Sequence, residues 1–306
     1  MKQALKHYGS VALLLICITA LSVGLTAVTG RLTGSEDNRP TVLATTYPVY
    51  LAAQNVLGED DSVALYRLDG SASGCLHDYQ LSPSDRRLTQ EADLILLNGA
   101  GAESFLDGII DEDKAVDTAT GVDLLCADHE HDHDHGEEHH EEEYNEHLWL
   151  SPSRYAAQVM AVRDALCALC PDAAATYRKN AEAYLEQIGA VQQQLEALSA
   201  ALSGRPCVLF HDSMAYLAAD LGLDVKLTLS VEGESGLSAT HLKQVEAMAD
   251  KYPDLLLLYD TQYALRYEGV AGTPVTIHTA VVGEGSGDDW LTAMQNNVET
   301  LQKIAG

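Results

Sequence analysis

Short apolar runs alternate with longer amphipathic stretches along most of this chain. Thr41–Thr45, Ser62–Leu68 and Ala92–Leu97 are brief, apolar and bounded by turn-forming residues, which predicts strands. Between the second and third, Ser82-Pro83 followed by Asp85 supplies an N-cap, a proline at the first helical position and an acid in the first turn. The order strand, helix, strand implies a parallel sheet with covering helices. The same grammar restarts in the second half with Pro206–Phe210, Asp224–Leu229, Asp254–Tyr259 and Thr273–Ile277, separated by helices of which one runs from about Ser238 to Lys251. The expected fold is therefore α/β: two similar lobes with mainly parallel sheets.

Between the lobes lies the clearest periodic segment. Tyr177, Ala181, Tyr184, Ile188, Val191, Leu195, Leu198 and Leu202 recur at alternating spacings of four and three. This predicts one helix over 172–203, about 48 Å long at roughly 1.5 Å per residue. So regular a heptad also suits a dimeric coiled coil. The alanine and tyrosines in the seam, and two lobes in need of a surface to lie against, favour a rigid connecting spine within a monomer.

The first thirty residues contain no acid, open with Lys2, Lys6 and His7, and run apolar from Val11 to Val28. That is a signal or anchor segment (1–30), followed by a polar tether (31–40), and it places the remainder outside the cytoplasm, in the periplasm or on the outer membrane face. Its apolar length of about 18 residues approaches the roughly 20 needed to span a bilayer. Cys17 would be the site of lipidation, although Ile16 is larger than the residue a lipobox carries there. The expected organisation is then an N-terminal lobe (41–171) holding an acidic loop (128–146), the connecting helix (172–203) and a C-terminal lobe (204–306). Five cysteines follow the segment, Cys75, Cys126, Cys167, Cys170 and Cys207; export makes disulfides plausible, and Cys167 or Cys170 with Cys207 is a sensible bridge. The CxxC spacing of Cys167 and Cys170 falls late in a helix, where no dipole lowers a thiol pKa, so it reads as structural.

Composition narrows the function. With 18 basic and 46 acidic residues the formal charge is −28, which repels a phosphate backbone and excludes nucleic acid as a partner. Six of the 12 histidines crowd into the segment DHEHDHDHGEEHHEEEYNE. It has almost nothing apolar to bury, so it is a solvated loop. His129, His131, His133, His135, His139 and His140 suit zinc, copper, nickel and iron(II), and the flanking carboxylates raise the local cation concentration. A loop that loses its conformational freedom on binding captures metal weakly.

Three further histidines sit where the alternation places loops at strand ends: His77 after the second strand, His147 on leaving the acidic loop before Ser151-Pro152, and His211 directly after Pro206–Phe210. Ligands of open α/β sheets bind at the carboxyl ends of strands, and three converging imidazoles form a zinc-type donor set. Asp78 and Asp212, each adjacent in sequence, are partners for those rings or helix-capping acids.

The series His77-Asp78-Tyr79 with Leu81-Ser82-Pro83-Ser84-Asp85, then His147-Leu148-Trp149-Leu150-Ser151-Pro152, then Phe210-His211-Asp212, resembles the zinc and manganese solute-binding proteins of bacterial ABC transporters. The similarity runs from about Thr41 to Ile304 and takes in Thr46-Tyr47-Pro48, the His-rich loop and the long helix. The resemblance implies two lobes joined by a rigid helix with metal in the cleft between them, His77 and His147 as ligands from the first lobe, and His211 from the second. Histidine at position 211 points to the zinc branch. The family's carboxylate after the last strand is replaced here by Ile277-His278-Thr279-Ala280. His278 is the expected fourth ligand; water, Glu232, Glu234 or Asp260 are the alternatives, and Cys75 a more distant one.

The implied function is high-affinity capture of extracytoplasmic Zn2+ and its delivery to a membrane ABC permease and ATPase, with no bond made or broken. A zinc hydrolase would use three His, an open water position and a glutamate base; the one HExxH match, His129-Glu130-His131-Asp132-His133, falls in the solvated acidic loop rather than on a helix that would set both histidines on one face. An adhesin or zinc buffer without a transporter would use the same cleft.

Overall fold

In β1 (Thr41–Ala44) and β3 (Leu94–Leu97) alternate residues face opposite sides of one sheet, as the strand period of two requires. Val42, Ala44, Leu94 and Leu96 join the main core, whereas Leu43 and Ile95 pack with Leu68 and Ala92 on the other face. β5 (Pro206–Leu209) and β7 (Leu256–Asp260) repeat the arrangement: Cys207, Leu209, Leu256 and Leu258 face the main core, and Val208 and Leu257 face a cluster with Phe210, Tyr259 and Val245. Both faces of each sheet are covered, which is why these strands read as unbroken apolar runs. The computed structural model describes residues 38–68, 79–127, 143–229, 237–261, 270–281, 283 and 285–306. The N-terminal apolar segment with Cys17 lies outside them.

Among the described residues the strands form two four-stranded parallel sheets of identical topology. The first has the order β2 (Ala64–Arg67), β1, β3, β4 (Ala115–Asp117), and the second β6 (Asp224–Thr228), β5, β7, β8 (Thr273–Ile277). The connections run in opposite directions from β1 and from β5. A crevice for a ligand therefore opens at the carboxyl ends of these strands. The helices are α1 (Tyr47–Leu57), α2 (Pro83–Glu91), α3 (Pro152–Leu169), α4 (Ala174–Leu202), α5 (Ala215–Asp220), α6 (Ala239–Lys251) and α7 (Asp289–Ala305). Helix α2 opens with the expected cap, Ser82 and Asp85 closing a reciprocal capping box with Pro83 at the first position.

The periodic segment is α4, a 29-residue helix preceded by a 3-10 turn at Pro171–Ala173, so its start falls two residues after the expected one. Tyr177, Ala181, Tyr184, Ile188, Val191, Leu195 and Leu202 are buried within the chain, against α1, α3 and α7. A single continuous cluster runs from the first sheet through this stripe to the second sheet. Hydrogen bonds reinforce it. Tyr155 Oη lies 3.3 Å from Tyr184 Oη, and the Tyr155 ring stacks on Trp290 at 4.5 Å. Tyr47 Oη donates to Asp289 and accepts from the Gly285 N–H at 2.9 Å, while Gln54 and Asn55 donate to the carbonyls of Gly285 and Gly287. Burial, with the Asp289 carboxylate beside it, raises the Tyr47 phenol to about 12.

Cys126, Cys167, Cys170 and Cys207 are free thiols, so the expected bridge from Cys167 or Cys170 to Cys207 is not formed. Cys167 instead donates to the Ala174 carbonyl at the α3–α4 corner, and Cys207 faces the core from β5, where burial pushes its thiol to about 12. Among the described residues no helix is long and apolar enough to cross a membrane.

The turn after β3 needs glycine at position 99: φ is 84°, and a Cβ there would fall 2.0 Å from Asp117 Oδ1. Glu103 pins this turn from inside, accepting from Thr45 Oγ1 at 2.5 Å and from the N–H groups of Asn98 and Gly99 at 2.6 and 3.1 Å. Burial dominates over those donors and lifts its carboxyl to about 7.

Two outcomes follow from this packing. Ile188→Ala should cost about 2–5 kcal/mol and shift one unfolding transition in urea, followed by far-ultraviolet circular dichroism; a split into two transitions would mean that the lobes do not share a core. Glu103 keeps its proton to higher pH when folded than when unfolded, so the stability it contributes is full below about 4.5 and is lost as pH rises to about 7. Glu103→Gln should flatten that slope in urea midpoints measured between those limits, and an unchanged slope would assign it to other groups.

Candidate metal centre

His211 comes just beyond β5, after the buried Phe210, so a buried strand end carries its ring to the crevice. Its backbone is extended and its Nδ1 accepts from the Ser213 N–H at 3.1 Å, which makes the histidine the cap of a short 3-10 turn, Asp212–Met214. His147 arrives from the other lobe, as the residue before a second 3-10 turn, Leu148–Leu150, that leads into α3. His147–Ser151 are all buried, because Leu148, Trp149 and Leu150 are apolar and the segment is tied on both sides. Ser151 occupies the cap position of α3 without a side-chain cap bond and pairs instead with Ser153.

The two rings lie 5.4 Å apart, nearly perpendicular, and are 2% and 4% exposed. Asp212 joins them: its Oδ1 is 3.1 Å from His211 Nδ1 and 3.9 Å from His147 Nδ1. One donor atom from each of the three residues lies within 4.8 Å of the others, and among the described residues no other group of His, Cys, Asp or Glu does this. Two imidazoles and a carboxylate are three protein ligands of the kind zinc takes; to offer Nε2, His211 must move its ring proton to Nδ1, where Asp212 Oδ1 at 3.1 Å can accept it in place of the Ser213 contact.

The segment before His147 is held from both lobes. Asn145 is 2% exposed; its Oδ1 accepts from the His147 N–H at 2.9 Å and lies 3.1 Å from His147 Nδ1, and its Nδ2 donates to the Asp212 carbonyl at 2.9 Å. The Asn145 carbonyl accepts from Tyr216 Oη of α5 at 2.7 Å, and the Glu146 carbonyl accepts from Asn98 Nδ2 at the end of β3. Burial raises the Tyr216 phenol. Beyond His147, Trp149 Nε1 donates to the Thr279 carbonyl at 2.6 Å, and Trp290 Nε1 donates to the Trp149 carbonyl at 2.9 Å.

The sequence-expected residues divide into three groups. His147 and His211 are brought together. His278 is not part of that three-residue group: half-buried, it holds its backbone against Asn297, turns Nδ1 to within 3.4 Å of Thr261 Oγ1, and lines an open cleft of about 420 Å³ with Tyr47 and Asp289. Asp260, buried at the end of β7, accepts from Thr279 Oγ1 at 2.8 Å and is likewise outside the three-residue group. His77, Cys75, Asp78, Glu232, Glu234 and the loop histidines His129, His131, His133, His135, His139 and His140 lie outside the described residues. Asp212 as a donor and Asn145 as a tie between lobes are what sequence reasoning missed; the His211-Asp212 adjacency was the available signal for the first.

Comparison with known proteins bears on the whole chain. Zinc-binding protein AdcA of Streptococcus pyogenes is 25% identical over 291 residues, which cover 87% of this chain and 56% of that protein. The chain thus spans little more than half the length of this relative. Among solved structures, the FpvC solute-binding protein of Pseudomonas aeruginosa in complex with Mn2+ superposes with a TM-score of 0.72 at 20% identity, covering 87% of this chain and 98% of FpvC. Periplasmic zinc binding protein TroA of Treponema pallidum gives 0.69 at 19%, covering 88% and 100%. These likenesses establish the fold of two α/β lobes with a long helix. The family model described as zinc-uptake complex component A, periplasmic, matches residues 42–304. With that match spanning nearly all of both sheets and the helix between them, the chain belongs to the ZnuA family.

Proposed function

We propose that this chain captures Zn2+ outside the cytoplasm and hands it to a membrane ABC permease and its ATPase. The observation that carries the reading is the pair of buried imidazoles, one from each side of the crevice, with the Asp212 carboxylate beside them. Membership of a zinc-uptake family and similarity to a relative named as zinc-binding support the choice of metal. Chemistry supports it too, since imidazole-rich sets suit zinc while manganese favours oxygen. The protein makes and breaks no bond.

In this reading His147 and His77 are ligands from a lobe spanning 41–171, and His211 is the ligand from a lobe spanning 204–306, with 172–203 as the spine. Asp212 supplies the carboxylate, and His278, held beside Thr261, stands outside the three-residue group. The acidic loop at 128–146 gathers metal weakly, and residues 1–30 direct or anchor the chain outside the cytoplasm. FpvC was solved with Mn2+, so competition between zinc and manganese is the direct test of selectivity.

A metal bridging two lobes binds the assembled form alone. Zinc at a thousandfold excess over Kd should therefore stabilise the chain by about 4 kcal/mol, read as a thermal shift. His147→Ala and His211→Ala should each remove most of that shift and His278→Ala little of it; a full shift in the first two would overturn the interlobe site, and a large loss in the third would move the fourth donor to His278. In equilibrium dialysis, deleting residues 130–143 should remove weakly held zinc and leave one tight ion. Loss of the tight ion on that deletion would place the main site in the loop. Cells lacking the chain should lose uptake of labelled zinc at low external concentration, and undiminished uptake would sever the link to a permease.

A further inference from the structure

Every polar atom of Asn145 has a partner, and its side chain touches both halves of the proposed centre. Its N–H donates to the Leu125 carbonyl and its own carbonyl accepts from Tyr216 Oη. Of the side chain, Oδ1 faces the backbone N–H and Nδ1 of His147, and Nδ2 faces the carbonyl of Asp212. The amide orientation is therefore decided by its surroundings: turned over, its NH2 would meet an N–H donor and its oxygen would meet a carbonyl. Because Oδ1 can only accept, Nδ1 of His147 must carry the proton. In the neutral ring that leaves Nε2 with the lone pair.

The contact to Asp212 acts on the other ligand. Asp212 lies between His211 and Ser213, and the Ser213 N–H holds the His211 ring at Nδ1. Fixing the Asp212 carbonyl fixes the turn that orients that ring. We infer that Asn145 is the positioning residue of the metal centre, selecting the Nδ1–H tautomer of His147 so that Nε2 is the ring nitrogen carrying the lone pair a metal takes, while locking the His211 turn in register with it. The inference rests on the reading of His147 and His211 as zinc ligands and adds which nitrogen of His147 binds and what holds it there. Residues that hold a ligating histidine by its second nitrogen are worth about 10–100-fold in metal affinity.

The test uses the full chain, with Zn2+ for affinity and long-range 1H–15N spectra of the metal-free protein for the His147 tautomer. The native chain should show His147 as Nδ1–H. Asn145→Leu, similar in size but unable to accept, should lose roughly 10–100-fold in zinc affinity and populate the Nε2–H form. Asn145→Asp keeps an acceptor for Nδ1 and gives up the donor to Asp212, so it should retain the Nδ1–H signature. A role in stability alone would lower the melting temperature of both variants and leave the tautomer untouched. Finding Nε2–H at His147 in the native chain overturns the inference even if Asn145→Leu fails to fold, as does native affinity and tautomer in Asn145→Leu. If His147→Ala binds zinc as tightly as the native chain, the ligand reading itself fails, and the inference with it.

Discussion

Tyr177, Ala181, Tyr184, Ile188, Val191, Leu195 and Leu202 form one apolar stripe on α4, and neither sheet has an inner core apart from it. The inward residues of β1 and β3 approach it from one side, and those of β5 and β7 from the other. Moving one sheet relative to the other would expose side chains that are now fully buried, at roughly 25 cal/mol for each Å² of apolar surface returned to water. The relative placement of the sheets is thus set by the largest favourable term in folding. The crevice between their strand ends inherits that placement.

This explains how a centre can draw on both lobes without being floppy. His211 extends a core strand, and His147 lies in a buried segment whose neighbours are bonded to the opposite lobe at Asp212, Tyr216 and Thr279. The rings stand 5.4 Å apart because both backbones are held. Donors placed in advance lose little conformational freedom when an ion arrives. The formal charge of −28 draws cations toward the whole surface, but only pre-placed donors convert attraction into tight binding.

Much of this was legible in sequence, for identifiable reasons. Strands buried on both faces are unbroken apolar runs, so β1, β3, β5 and β7 stood out. The β4 strand did not, because it has three residues and an aspartate at its end. The seam of α4 was visible as spacing, and the two histidines that meet beside Asp212 as residues at predicted strand ends and helix starts. Asp212 could equally have been a cap, since an acid after a strand-end histidine fits both uses. At the end of β8 Ile277 points into the core, so the His278 side chain is directed to the other side, toward Thr261. Asn145 carried no motif at all. Its importance comes from partners 67 and 71 positions away.

Trp149 and Trp290 are the two tryptophans of the chain. One donates to Thr279 across the seam and the other donates to the carbonyl of the first, two residues from His147. Both indoles are nearly or fully buried. Indole emission depends on the polarity and hydrogen bonding around the ring, and here no tryptophan elsewhere adds to the signal. The fluorescence of this protein is therefore an optical record of one place, the joint between its lobes beside the proposed metal, written by the native sequence without any added label.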